Sequence, residues 1–327
     1  MGEGAAMSET YLEYFNTVST FSAFKSVGRG EFSLLGDKVE EMLSEYHRLY
    51  DIYFEYSGIN NIKTINDNAG VAPVVVDERI IDLIDYSIEL YELTSGEMNI
   101  AMGAVLGLWH EARTTSVNNP EDSYLPTDEA LREAAAHTDI SKIVIDREAS
   151  TVYLADSLMS LDVGAVAKGY ATERIAEMLE ELGESGYALN IGGNIRLVGG
   201  KITPFDTLPY EIDVTHPNKA VGGFIERVTV MNTSVVTSGD YERFFIHGGE
   251  KYHHIIDKDT LHPSTHFASV TVITRDSGLA DALSTALFTL DYDTGRALVD
   301  SLDGVEAMWV TTEYEKLMTD GFPISRV

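Results

Sequence analysis

There is no cysteine in the 327 residues. That excludes disulfides, thiolate metal ligands and thiol catalysis, and it leaves no cysteine in this sequence to carry a lipid. Positive charge is scarce: 23 Lys and Arg stand against 53 Asp and Glu, a net −30. Such a surface repels nucleic acid and anionic membranes, so neither DNA nor RNA is expected among the partners. It equally repels anionic small molecules. A phosphate-bearing ligand would need local help from backbone amides, a few placed cations or a divalent metal. No stretch approaches the ~20 consecutive apolar residues of a membrane span. The opening MGEGAAMSETYLEYF lacks the basic and apolar segments of a signal peptide. Two familiar phosphate loops are missing too. VGGKIT has Ile195 where a Walker loop needs its first glycine, and no G-x-G-x-x-G lies between a strand and a helix.

What is present reads as a globular α+β chain, 44% hydrophobic and 23% charged. Residues 1–10 are expected to be a remnant or disordered tail, and 11–327 one compact domain. Apolar residues at helical spacing predict helices over 37–56 (Val39, Met42, Leu43, Tyr46, Leu49, Tyr50), 77–96 (Ile80, Ile81, Ile84, Ile88, Tyr91) and 169–186 (Ile175, Met178, Leu179, Leu182). Shorter ones are expected over 127–138, opened by Thr127, and in DTGRALVDSL. A hairpin is expected over 141–156, and 114–130 reads as a polar surface loop. Helices dominate the first half and strands the second, which points to mixed, largely antiparallel sheets packed with helices; a doubly wound parallel sheet is the alternative.

Several stretches carry chemistry. In SGLADALSTALFTL (277–290), Leu279, Leu283, Leu287 and Leu290 form one stripe, while Asp281 and Thr285 sit one turn apart. In isolation that pair reads as a solvated face; the sharper reading is two oxygen ligands for a hard cation such as Mg²⁺. LDVGAVAKGYATERI carries Asp162 out of a strand and through Lys168 into a helix N-terminus, where free amides favour an anion. LNIGGNI and TSGDYERF place glycines after β-rich runs, where backbone can approach a ligand. His253, His254, His262 and His266 fall close together, which admits a zinc cluster or, more favoured, one acid/base or ligand-contacting histidine.

Taken in order, LDVGAVAKGYA, LNIGGNI, TSGDYERFF, KYHHIID and LADALSTALF resemble the ApbE family of FAD:protein FMN transferases. The resemblance implies an α+β fold, FAD and Mg²⁺ as ligands, and transfer of FMN onto a Ser or Thr hydroxyl of an acceptor flavoprotein with release of AMP. It implies that Asp162 and Lys168 contact FAD, and that Asp281, Thr285 and the Ala165 carbonyl hold the metal. His254 and Ile255 then lie near the phosphates, with His254 the candidate proton acceptor, and Asn99, Ile100 and Ala101 of GEMNIA line the flavin site. Tyr56 corresponds to an aromatic that stacks on a ring. Three places depart from the family pattern. Asn99 and Ala101 replace Asp and Thr, DKDTLHP replaces D-P-x-T-G, and Phe15, Asn16 and Thr17 stand where the family has M-G-T. The resemblance also implies an extracytoplasmic lipoprotein, held to a membrane only through a lipid anchor. Two other activities fit the same residues: hydrolysis of FAD to FMN and AMP, and non-catalytic FAD binding.

Overall fold

The computed structural model describes residues 8–326. Eight strands form one sheet in which each lies beside its predecessor: β1 (Ser8–Tyr14), β2 (Thr17–Ala23), β3 (Tyr187–Ile191), β4 (Asn194–Val198), β5 (Ser234–Gly239), β6 (Ser269–Thr274), β7 (Glu306–Val310) and β8 (Lys316–Met318). Every pairing within it is antiparallel. The expected α+β class holds, and the parallel alternative does not.

All other elements are insertions into this meander. Between β2 and β3 come α1 (Arg29–Tyr50), α2 (Ile62–Asp67), α3 (Glu78–Leu93), α4 (Gly103–Asn118), α5 (Asp128–Ala135) and α6 (Ala167–Glu181), with a small sheet of Val74–Val75, Thr151–Leu154 and Ile143–Asp146. One hairpin, Tyr210–Thr215 with Phe224–Val230, follows β4; a second, Phe244–His247 with Glu250–His253, follows β5. Helices α7 (Ser277–Thr289) and α8 (Tyr292–Asp300) lie between β6 and β7.

Side chains alternate across a strand, and both faces of β6 are covered. Val270 and Val272, with Ala307 and Trp309 beside them, pack on Leu283, Leu287 and Phe288 of α7. Ile273, with Met308 and Val310, packs on Tyr210, Val214 and Val228 of the first hairpin. Each such side chain contributes about 1.5–3 kcal/mol by leaving water. With the sheet on one side and α6 on the other, α7 is buried nearly all round.

The registers bring three turns to one end of the sheet: Phe15–Asn16, Gly192–Gly193 and the Ser238–Gly239 end of β5. Phe15 and Asn16 both have φ 55°, and Gly192 and Gly193 have φ 58° and 94°. Positive φ at both central residues is what a two-residue hairpin requires. A Cβ on Gly192 would stand 2.6 Å from Thr17 Cγ2, so the first two turns nest only because that side chain is missing.

Four expectations need correction. Helix α1 starts at Arg29 and ends at Tyr50, so Tyr56 lies in a loop rather than a helix. The reason is Asp51, whose Oδ1 accepts the amides of Tyr53 (2.7 Å) and Phe54 (3.1 Å) and turns the chain aside. The first residues of the expected 114–130 loop belong to α4, which buries Val105, Trp109, Ala112 and Ser116. Leu290 closes α7 as its C-cap instead of continuing the stripe. Ser8–Thr10, expected in a tail, pair with Phe21–Ala23; residues 1–7 lie outside the described residues. Among the described residues no helix is long and apolar enough to cross a membrane.

Candidate active site

Helices α6 and α7 touch where α6 begins. A Cβ on Gly169 would stand 2.5 Å from Asp281 Cβ and closer still to the Ser277 carbonyl, so only glycine permits the approach. Asp281 is thereby carried into the interior, 4% exposed. Its Oδ2 accepts the Gly169 amide at 2.9 Å and lies 3.4 Å from Lys168 Nζ. In a regular helix that amide would bond to the Ala165 carbonyl four residues back. Diverted to Asp281, it frees the Ala165 oxygen. Thr285 donates to the Asp281 carbonyl at 3.3 Å, and its hydroxyl lies 3.3 Å from Ser238 Oγ at the turn end of β5. The solvated-face reading of Asp281 and Thr285 is therefore wrong. Asp281 faces α6 and Thr285 faces β5, two oxygen donors with a single negative charge.

Beside this set is a cluster of cations. Trp109 of α4 stacks on Tyr252 of the second hairpin (6.1 Å) and donates Nε1–H to the Leu261 carbonyl at 2.9 Å. That docking brings His110 and Arg113 of α4 to Arg243 and His254, which flank the hairpin's base. Arg113 Nη2 lies 3.1 Å from His110 Nδ1, and His254 Nδ1 lies 3.2 Å from the Arg243 carbonyl. With Nδ1–H donating there, His254 Nε2 keeps a free lone pair. Burial, with Arg243, His253, Arg113 and Lys168 around it, lowers the His254 pKa to about 3. Asp162 shares these neighbours. Burial raises its pKa, while the Gly164 amide (2.8 Å), His110, Arg243 and Lys168 pull the other way. In a chain of net −30, three cations gathered around one neutral histidine mark a place built for an anion.

Among the residues expected from the sequence, Asp162, Lys168, His254, Asp281 and Thr285 come together, and Ala165 lies in the turn that joins Asp162 to Lys168. Ile255 is adjacent but buried, its amide donating to His253 Nδ1. Ile100 and Ala101 are fully buried, so their side chains do not line an open flavin site. They act from below, the Ile100 carbonyl accepting the Asp162 amide at 2.8 Å. Asn99 is spent on local structure, donating to the Thr138 carbonyl (3.0 Å) and accepting the Ala101 amide (2.9 Å). Tyr56 does not join the cluster: its hydroxyl donates to Asp51 Oδ2 at 2.8 Å. Tyr53 lies beside the cluster, its ring 5.0 Å from His110 at 30°. LNIGGNI forms the nested turn, within which Asn190 accepts the Gly193 amide at 2.9 Å.

The zinc reading is not supported. His253 is a satisfied core residue bonded to the Ser264 carbonyl at 2.8 Å, and His262 pairs with Asp128 on the surface. No group of three His, Asp or Glu among the described residues is arranged to hold a metal. Tyr53, His110, Arg113 and Arg243 were missed. His110 and Arg113 share a helix face three residues apart, a signal that was readable once α4 was recognised as a helix.

The insertions into the antiparallel meander thus gather three cations beside a buried carboxylate and a hydroxyl. A sequence model of the ApbE family matches residues 15–309, and the chain belongs to that family. It is 34% identical over 260 residues to a FAD:protein FMN transferase of Treponema pallidum (strain Nichols), covering 76% of this chain and 70% of that one. A FAD:protein FMN transferase of Haemophilus influenzae is 30% identical over 79% of this chain and 72% of its own. The crystal structure of the ApbE protein from Thermotoga maritima superposes with a TM-score of 0.82 at 28% identity, covering 96% and 97% of the two chains. The flavin transferase ApbE from Vibrio cholerae gives 0.78 at 23% identity over 96% and 98%, a likeness of fold.

Proposed function

We propose that the protein transfers FMN from FAD to a Ser or Thr hydroxyl of an acceptor flavoprotein and releases AMP, with Mg²⁺ as its metal. The protein is a transferase of the ApbE family. The observation that carries the reading is the meeting of Lys168, Arg113 and Arg243 around His254, beside the buried Asp281. The donors fit the metal: one carboxylate, one hydroxyl and one carbonyl are all oxygen, and a single protein charge suits an ion that keeps waters and shares phosphate oxygens. Asp281, Thr285 and Ala165 would hold it. When bound, Mg²⁺ supplies countercharge to the diphosphate and to the departing AMP.

The chain's own residues do the rest. Lys168, Arg113 and Arg243 hold phosphate oxygens, and Tyr53 with His110 offers a flat ring surface at the rim. The acceptor hydroxyl oxygen bonds to the FMN phosphorus as the bond from that phosphorus to the AMP oxygen breaks. The hydroxyl proton passes to His254 Nε2. At neutral pH His254 is uncharged and able to accept it, its pKa lowered to about 3 by burial first and by the cations around it second. A bound diphosphate neutralises those cations and raises the proton affinity of the imidazole when a base is required.

The test is mass spectrometry of a candidate acceptor domain after incubation with the protein, FAD and Mg²⁺. The expected result is one added FMN mass on a Ser or Thr, with one AMP released per transfer. Steady FMN and AMP production with an unmodified acceptor would make the protein a hydrolase. Stoichiometric, intact FAD would make it a carrier.

A further inference from the structure

We infer that Glu173 of α6 is the positioning residue for Asp281, fixing the start of α7 so that the oxygen donors of the site face one another. The inference rests on the transfer reading above, because Asp281 matters through the ligand it holds. Glu173 is buried, and its Oε2 accepts the amide of Ser277, the first residue of α7, at 2.8 Å. The next turn-start amide, that of Leu279, goes to the N-cap Asp276 at 2.8 Å. One of the unpaired amides that open α7 is thus satisfied by a carboxylate from another helix, and negative charge at that end is favourable.

The same carboxylate is held from behind. Arg196 of β4, fully buried, donates Nε–H to Glu173 Oε2 at 3.0 Å and Nη2–H to Oε1 at 3.2 Å. Arg196 also reaches Glu180 at 2.9 Å, and Glu180 in turn pairs with Arg275. Asp281 lies four residues beyond Ser277, on the same face of α7. A tie at Ser277 therefore sets both the rotation and the depth of the turn that carries Asp281. Gly169 removes the steric barrier to that approach, and Glu173 supplies the directed bond that locks it.

Two variants separate positioning from stability. Glu173→Met/Arg196→Met removes the ion pair without leaving a lone buried charge, and pairs replaced in this way are tolerated; it also deletes the acceptor for the Ser277 amide. Glu173→Gln keeps an oxygen for that amide but strips Arg196 of its main counter-ion. FAD binding, followed by flavin fluorescence without acceptor as Mg²⁺ is titrated, gives the metal half-saturation; thermal melting gives stability. The expected pattern is crossed. The double variant melts only a few degrees lower, the cost of one orphaned amide of about 1–3 kcal/mol, yet needs about tenfold more Mg²⁺. The glutamine variant melts lower yet keeps its half-saturation within about twofold. Wild-type half-saturation in the double variant overturns the inference, as do shifts that track melting temperature in both variants. FAD binding by the unsubstituted protein that ignores Mg²⁺ overturns the metal reading and this inference with it, and that failure shows without any substitution.

Discussion

Replacing Gly169 with alanine puts one methyl group where α6 and α7 are closest. The added carbon would stand 2.5 Å from Asp281 Cβ and nearer to the Ser277 carbonyl, well inside van der Waals contact. Neither obstacle is the free end of a flexible side chain, so the helices must separate by about 1 Å to restore an ordinary carbon–carbon distance. Overpacking of this kind costs about 1–3 kcal/mol. For a chain of this size that is on the order of 2 °C of Tm for each kcal/mol. The functional loss is expected to be larger. Asp281 moves with α7, its bond to the Gly169 amide is broken, and a misplacement near 1 Å costs on the order of 100-fold in rate. Single-turnover transfer of FMN to an acceptor domain, read by the flavin fluorescence of the protein band, measures it alongside a melting curve. A Gly169→Ala protein that melts a few degrees lower and transfers FMN at the wild-type rate would refute the claim that this helix contact builds the site.

Protonation of His254 is suppressed in the folded chain, so between about pH 6.5 and about 3 the unfolded state binds more protons and stability falls as pH falls. His254→Ala should flatten that part of a stability–pH curve, and an unchanged curve would contradict the assignment. If a diphosphate relieves the depression, FAD binding near pH 6 takes up protons, measurable by calorimetry in buffers of different ionisation enthalpy and absent in His254→Ala. Arg113→Ala and Arg243→Ala should each weaken FAD binding by roughly 10- to 100-fold, as expected for a charged hydrogen bond of about 1.5–3 kcal/mol, and reduce its salt dependence. Equal affinity in both would remove them from the ligand. Asp281→Asn should raise the Mg²⁺ requirement steeply while the fold, judged by melting, survives. Leu261→Gly should cost little stability, because Leu261 sits at φ 62° and the strain relieved, ~1–2 kcal/mol, offsets lost packing; a large drop in Tm would show that the leucine's contacts dominate.

Motif order was legible in the sequence where periodicity was not. α3, α6 and α7 follow their apolar stripes, and the 143–154 hairpin follows its β-rich runs. The β1–β2 hairpin was missed because its second strand, TVSTFSA, is rich in small hydroxyl residues and draws its stability from the sheet. α4 was missed because GAVLGLWHEARTTSVN carries Gly103 and Gly107 in its first two turns and closes on a polar run, so its apolar face is thin. Asp281 and Thr285 looked solvent-facing since one helix cannot reveal that α6 covers its polar side. DKDTLHP looked like a loss of the family's glycine. Leu261 instead keeps the left-handed backbone that a glycine there would take freely, anchored by the Trp109 bond to its carbonyl. Arg243 carries no spacing signal, and that of Arg113 with His110 shows only once α4 is known to be a helix. They meet only because Trp109 docks α4 on the second hairpin.

The bond between Gly169 and Asp281 joins positions 112 residues apart, with four strands of the large sheet and the two hairpins described above threaded between them. A ribosome must therefore finish most of the polypeptide before the nucleotide grip exists, and chains released early have only half a clasp. Fragments ending before Ser277, which lack Asp281, should leave FAD untouched.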